Sequence, residues 1–186
     1  MTILDVELGP KRLELLHELV PTATVIAALV NPNDPNRAKI IARELQSAAN
    51  TLGLQLHVLN ASNDRDFDSV FAEMVHLRVG GLVIGGDPFF NSRSQQLGNL
   101  ALQHSIPAIY QFRPLAASGG LIGYGGSLVD SYRLVGVYAG RVLKGEKPAD
   151  LPVQQATEIE LIINLKTAKT HPPSATRPRR RGDRVA

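Results

Sequence analysis

A carboxylate, a guanidinium, several amides and a set of aromatic rings recur in this chain where apolar runs stop. Asp87, Phe89, Phe90 and Asn91 follow one run, Gln111, Phe112 and Arg113 a second, Tyr124 a third, and Asn31, Asn33, Asp34 and Asn36 the earliest. These residue types can bind a zwitterion. Asp87 suits an ammonium, Arg113 can hold a carboxylate through two parallel N–H donors, and Phe89, Phe90 or Tyr124 can pack an apolar side chain. For Asn31 to Asn36, turn and cap chemistry is the stronger reading. For Asp87, Phe89 and Phe90 the binding reading is favoured, because two adjacent phenylalanines in a polar turn otherwise expose apolar area. The candidate ligand-binding set is Asn33, Asp87, Phe89, Phe90, Asn91, Gln111, Arg113 and Tyr124.

Signs of catalysis or of a bound cofactor are missing from the sequence. There is no G-x-G-x-x-G, no G-x-x-x-x-G-K-[ST] and no G-x-S-x-G elbow for Ser118 or Ser127. His17, His57, His76, His104 and His171 stand singly, without metal-ligand spacing to an acid or another histidine. The absence of cysteine excludes a disulfide framework, a zinc-thiolate site and a thiol nucleophile. The glycine-rich stretch Gly119 to Gly126 lacks the Lys and Ser/Thr of a phosphate cradle and reads as turns. No cofactor, no metal and no catalysis are expected.

Positioning these groups requires strands that end where they begin. Val79 to Ile84 is apolar on both faces, rich in β-branched residues, and stops at Gly85, Gly86 and Asp87. Such a run suits the middle of a parallel sheet covered by helices on both sides, where ligands gather beyond the carboxyl ends of the strands. Further strands are expected at Thr24 to Val30, Leu54 to Leu59, Ile106 to Tyr110, Leu121 to Tyr124 and Glu160 to Asn164. Apolar stripes at helical spacing predict helices from Pro10 to Val20, Ala38 to Leu52, Asn63 or Asp64 to Arg78, Ser92 to His104 and Val129 to Leu143. Strand and helix alternate with short links, which implies right-handed crossovers and a doubly wound, mostly parallel α/β sheet with helices on both faces.

The chain's 186 residues, 44% hydrophobic, suffice for one such core. The formal charge is +3, but from His171 onward five arginines meet one acid, so residues 1 to 170 are nearly neutral. That tail, HPPSATRPRRRGDRVA, is expected to be disordered, and no nucleic-acid partner is expected because no aromatic residue interleaves the arginines. No apolar run reaches bilayer length and the start lacks a signal-peptide pattern, so the chain as written reads as soluble, unexported and cytoplasmic.

Six pieces in order carry a resemblance: ELGPKRLELLHELVP (7–21), VNPNDPN (30–36), GGLVIGGDPFFNSR (80–93), IPAIY (106–110), YGGSLVDSYRLVGVYAGRVLKGEKPADLPV (124–153) and INLKTAK (163–169). The chain resembles the substrate-binding proteins of ABC transporters over about residues 2 to 170, closest to the branch associated with aromatic amino acids and related solutes. The resemblance implies one lobe of a type I periplasmic-binding-protein fold, in which two lobes joined by three hinge crossings close on a small-molecule solute and deliver it to a membrane permease. It also implies a periplasmic or cell-surface location for the family. Residues 1 to 170 then correspond to the second lobe and hinge returns, with the start falling at the first hinge. The Arg-rich tail in place of the family's ending is expected to reflect a shifted frame or gene boundary. The helix at 129–143 matches a segment that packs on the first lobe, so it is expected either to fold back or to self-associate. A ligand-sensing regulatory module of the same fold, a small enzyme on a flavodoxin-like sheet, and a non-functional truncated product are the alternatives.

Overall fold

In the computed structural model, described for residues 8–152 and 159–170 (backbone only at residue 170), six strands form one sheet in the order β2-β1-β3-β4-β5-β6. They are β1 Val25–Val30, β2 Gln55–Asn60, β3 Gly81–Ile84, β4 Ala108–Tyr110, β5 Ile122–Gly126 and β6 Ile159–Ile163. The first five run parallel, with Ile26 opposite Leu56 on one side and Gly81 on the other. β6 returns antiparallel, placing Glu160 opposite Gly125 and Leu161 opposite Tyr124. This is the α/β, doubly wound, mostly parallel sheet that the alternation predicts.

Both faces are covered, which is why β1 and β3 show no polar alternation. On one face, α1 (Gly9–Leu19) and α2 (Pro35–Leu52) bring Leu13, Leu16, Ile41 and Leu45 onto Ile26, Ala28, Val83 and Ile109. On the other, α3 (Asp66–His76), α5 (Ser94–Gln103) and α6 (Arg113–Ala117) bring Phe67, Phe71, Met74, Leu97 and Leu115 onto Ala27, Leu29, Leu82 and Tyr110. α2 begins three residues earlier than its stripe suggests, because Pro35 supplies a helical φ and the Asp34 carboxylate accepts the Arg37 N–H at 3.0 Å. It stops at Gly53, whose φ of 69° is the left-handed conformation that glycine adopts most easily.

Three local expectations need correction. Neither Asn63 nor Asp64 caps α3. Asp66 instead reaches back to accept the N–H groups of Ser62 at 2.7 Å and Asn63 at 3.1 Å, while Asp64 pairs with Arg93 at 2.6 Å. The turn after β3 contains a short helix, α4 (Pro88–Ser92), and α6 occupies what reads as loop after β4. Each has five residues, too few to imprint a periodicity. A final helix, α8 (Leu165–Thr170), follows β6.

The exception to the layering is α7 (Leu128–Leu143). Among the described residues it packs broadly on no other element, and it leaves Val129, Tyr132, Val135 and Leu143 exposed, so its apolar stripe is not folded back onto the described sheet. Among the described residues no helix is long and apolar enough to cross a membrane. The basic tail and the extreme start lie outside the described residues.

Candidate ligand-binding site

The connection from β1 carries the chain to α2 on one face, whereas that from β3 carries it to α4 and α5 on the other. The adjacent carboxyl ends of β1 and β3 are therefore the topological switch point, where a crevice opens in sheets of this order. Asn31 and Asp87 meet there. The Asn31 side-chain amide donates to Asp87 Oδ1 at 3.0 Å, and the Phe89 N–H donates to the same oxygen at 2.8 Å, which makes Asp87 the N-cap of α4. Asp87 is 7% exposed. Arg37 buttresses this edge by donating to the Gly86 carbonyl at 3.2 Å and to Asp34. Gly85 is required here for close approach, since a Cβ would lie 2.9 Å from the Leu29 carbonyl oxygen.

A second network continues from Asp87 along the strand ends. The Tyr110 hydroxyl donates to Asn91 Oδ1 at 2.6 Å, with the Asp87 carbonyl a longer acceptor at 3.2 Å. Gln111 Nε2 donates to Asn91 Oδ1 at 3.1 Å and lies 3.3 Å from the Tyr110 hydroxyl. Asp87, Asn91 and Gln111 are thus joined through Tyr110, whose ring is fully buried.

Gln111 also belongs to a recess of about 400 Å³ between the ends of β4 and β5, the start of α7 and β6. Phe112, Arg113, Pro114, Leu128, Val129, Glu160 and Ile162 complete most of its wall. Gly125 allows the wall to form, since a Cβ there would collide with the Gln111 carbonyl oxygen. Arg113 and Glu160 are exposed and place opposite charges on the lining.

The candidates of the sequence therefore fall into different places. Asp87, Asn91 and Gln111 form one connected cluster, and Gln111 and Arg113 line the recess. Asn33 is exposed in the β1–α2 turn, where its N–H donates to Asn31 Oδ1 at 3.0 Å. Phe89 is half-buried, stacked on Phe67 with ring centroids 5.5 Å apart and with the Arg93 guanidinium 5.6 Å from its own centroid. Phe90 sits inside the hydrophobic core at 0% exposure, so it lines no part of the surface. The pair of phenylalanines leaves little apolar area in water because α4 turns one ring inward and lays the other on Phe67. Tyr124 points to the α1–α2 face, and its carbonyl accepts the Arg12 Nε–H at 2.8 Å, so its ring is not on the recess wall.

Sequence reasoning missed Tyr110 and Glu160 at this edge. A hydroxyl at the end of the apolar strand IPAIY was the available signal for the first. Nothing local marks the second, because only the antiparallel register beside Gly125 brings it there. Among the described residues no group of three or more His, Asp or Glu is arranged to hold a metal. The arrangement can grip a small solute of mixed charge. Its described groups include no nucleophile paired with a base.

The strand order, the two helical layers and the polar crevice at the switch point define an α/β ligand-binding fold of the periplasmic-binding-protein kind. The chain belongs to the family of ABC transporter substrate binding proteins, whose model matches residues 3–172. Among solved structures it is similar to the ABC domain in complex with L-Trp from Streptococcus pneumonia, with 23% identity and a TM-score of 0.76 over 90% of this chain and 58% of that one. It is also similar to a conserved domain protein from Vibrio cholerae (22% identity, TM-score 0.75, 87% of this chain and 54% of that one). A LacI family transcriptional regulator from Bifidobacterium animalis shares the fold at 13% identity and a TM-score of 0.63, over 85% of this chain and 59% of that one. The chain spans between 54% and 59% of the length of these three structures. No curated protein matches it in sequence.

Proposed function

We propose that this chain is the solute-binding component of an ABC importer, and that its described residues form one wall of a cleft for a small zwitterion of the amino-acid class. The observation that carries this reading is the junction of two features at Gln111: the buried network through Asp87, Asn91 and Tyr110, and the recess bearing Arg113 and Glu160. Arg113 takes the carboxylate, Glu160 or Asp87 the ammonium, and Phe112, Leu128 and Val129 the apolar side chain. The L-Trp complex among the similar structures supports an amino acid as the class. The protein holds its solute without transforming it, acts in the periplasm or at the cell surface, and hands the solute to a membrane permease.

A single wall supplies only part of a ligand's contacts, so this chain alone binds with a Kd of about 1 mM or weaker. Backbone NMR titration with a panel of amino acids tests this reading. Shifts grouped at Asp87 to Asn91, Gln111 to Arg113 and Glu160 are expected with aromatic or branched members. The absence of such shifts with every amino acid, or shifts grouped elsewhere, would overturn the assignment. The shared fold of the LacI-type regulator favours a second reading, a ligand sensor, in which the same cleft serves a regulatory partner. Co-purification with the permease rather than with a regulatory complex separates the two.

A further inference from the structure

α4 and α5 are separated by a single residue, Arg93, which is at once the C-cap of the one and the N-cap of the other, with φ −111° and ψ 11°. Arginine is poorly suited to start a helix. It offers no oxygen to the first free N–H groups of α5, and its charge opposes the positive end of the helix dipole. Ser94, next along, turns its hydroxyl the other way and donates to the Asn91 carbonyl at 3.0 Å. A residue that breaks the local rule calls for a compensating contact elsewhere. For Arg93 that contact is distant in sequence. Its guanidinium meets Asp64 of the β2–α3 connection in a two-pronged bond, Nε to Oδ1 at 2.6 Å and Nη2 to Oδ2 at 3.2 Å, and lies 5.6 Å from the centroid of the Phe89 ring. A third donor, Nη1, reaches the Ser92 hydroxyl at 3.2 Å, and that hydroxyl donates to the Phe89 carbonyl at 2.8 Å.

These contacts converge on α4. A helix of five residues does not hold itself together, so its orientation is set by what grips its side chains and its ends. Asp87 grips the start, Phe90 is fixed in the core, and Phe89 rests on Phe67. Towards the far end, Asn91 must place its Oδ1 where the Tyr110 hydroxyl and Gln111 Nε2 both reach it, at 2.6 and 3.1 Å. We propose that Arg93 is a positioning residue of the ligand site: clamped on Asp64 and Phe89, it sets the tilt of α4 on α5 and so the place of Asn91 beside Gln111. It acts from outside, since its side chain lines an open groove along α5 with Gln96 and Asn99 and takes no part in the recess wall. An exposed ion pair adds little to global stability. Its consequence is local, a fixed angle rather than a tighter fold. The effect on binding rests on the ligand reading above; the effect on α4 does not.

Arg93→Ser gives α5 a good cap while removing the clamp, so it separates stability from positioning. Its Tm is expected within about 3 °C of the parent or above it. At the same time the Asn91 N–H, bonded to the Asp87 carbonyl, should exchange about fivefold faster or more relative to that of Ala101 in α5, and the side-chain amide resonances of Asn91 and Gln111 should move. Asp64→Ala leaves the start of α5 untouched and should move the same two resonances in the same direction. Arg93→Lys keeps the charge without the fork and should restore them only in part. With L-tryptophan as the probe, the Kd read from the same spectra should rise about threefold or more in Arg93→Ser. Unmoved Asn91 and Gln111 resonances in the Ser and Ala variants, or moved resonances with an unaltered Kd, overturn the proposal. So does a Tm of Arg93→Ser lowered by more than about 5 °C, which would make Arg93 a stabilising residue. A parent chain that binds neither L-tryptophan nor any other amino acid overturns the ligand reading instead, and the resonances of the free chain still decide whether Arg93 positions Asn91.

Discussion

At Asp87 one carboxylate oxygen accepts both the α4 N-terminal amide and the Asn31 side chain, so cap and crevice share an atom. Asp87→Ala should cost about 1–2 kcal/mol and lower Tm by roughly 3–6 °C in a thermal melt. Asp87→Asn keeps an accepting oxygen for the cap, so it should retain most of that stability while losing any dependence of binding on the ligand's ammonium. The comparison separates the residue's structural role from its proposed binding role. Tyr110→Phe removes the donor to Asn91 inside a buried network and should cost about 1 kcal/mol, read from denaturant midpoints. Asp66 carries a pH dependence. Chiefly the backbone N–H of Ser62, then the Ser62 and Asn63 groups around it, holds its carboxyl below the ordinary 3.8. The folded chain binds that proton less readily than the unfolded chain does. The stabilisation is therefore complete above the unfolded value and lost as pH falls through the lowered folded one. Asp66→Asn should flatten the fall of Tm with acidification below pH ~4, the unfolded carboxylate range.

At the scale of elements, helix ends and short helices set the geometry. α3 is followed by Arg78 at a φ of 54°, with the Val79 N–H bonded back to the Met74 carbonyl, a left-handed stop without the glycine that usually fills it. Arg78→Gly should raise stability by about 0.5–1 kcal/mol, visible as a higher denaturant midpoint with unchanged m-value. α4 and α6 were illegible because five residues show no stripe. Their local marks are Pro88 and Pro114 near the starts and Asp87 as a cap, and prolines after strands are equally common in plain turns. The buried strands were legible as unbroken apolar runs bounded by turn residues, and the long helices because their apolar period repeats several times. α7 was legible as a helix for the same reason. Its isolation was not, since a stripe says which face seeks cover and not whether cover is there.

For the molecule as a whole, protection should be uneven. β1 and β3 lie in the middle of the sheet between two cores, whereas α7 and β6 sit at its margin with exposed apolar residues. Hydrogen exchange should be slowest in β1 and β3 and fastest in α7, by about the full span between global and local opening. If α7 proves as protected as β1, its isolation from the two cores is wrong. Charge chemistry and the strand-helix rhythm belonged to the sequence. Local spacing alone determined an α/β sheet covered on both faces, polar residues at the strand ends, and the want of a nucleophile or cofactor motif. Only the tertiary structure decided which of those polar residues meet. Pleat direction turned Tyr124 to the far face, a single helical turn drew Phe90 into the core, and the antiparallel return of β6 carried Glu160 to the recess. Each of these depends on contacts between residues distant along the chain, and a one-dimensional pattern holds no record of them.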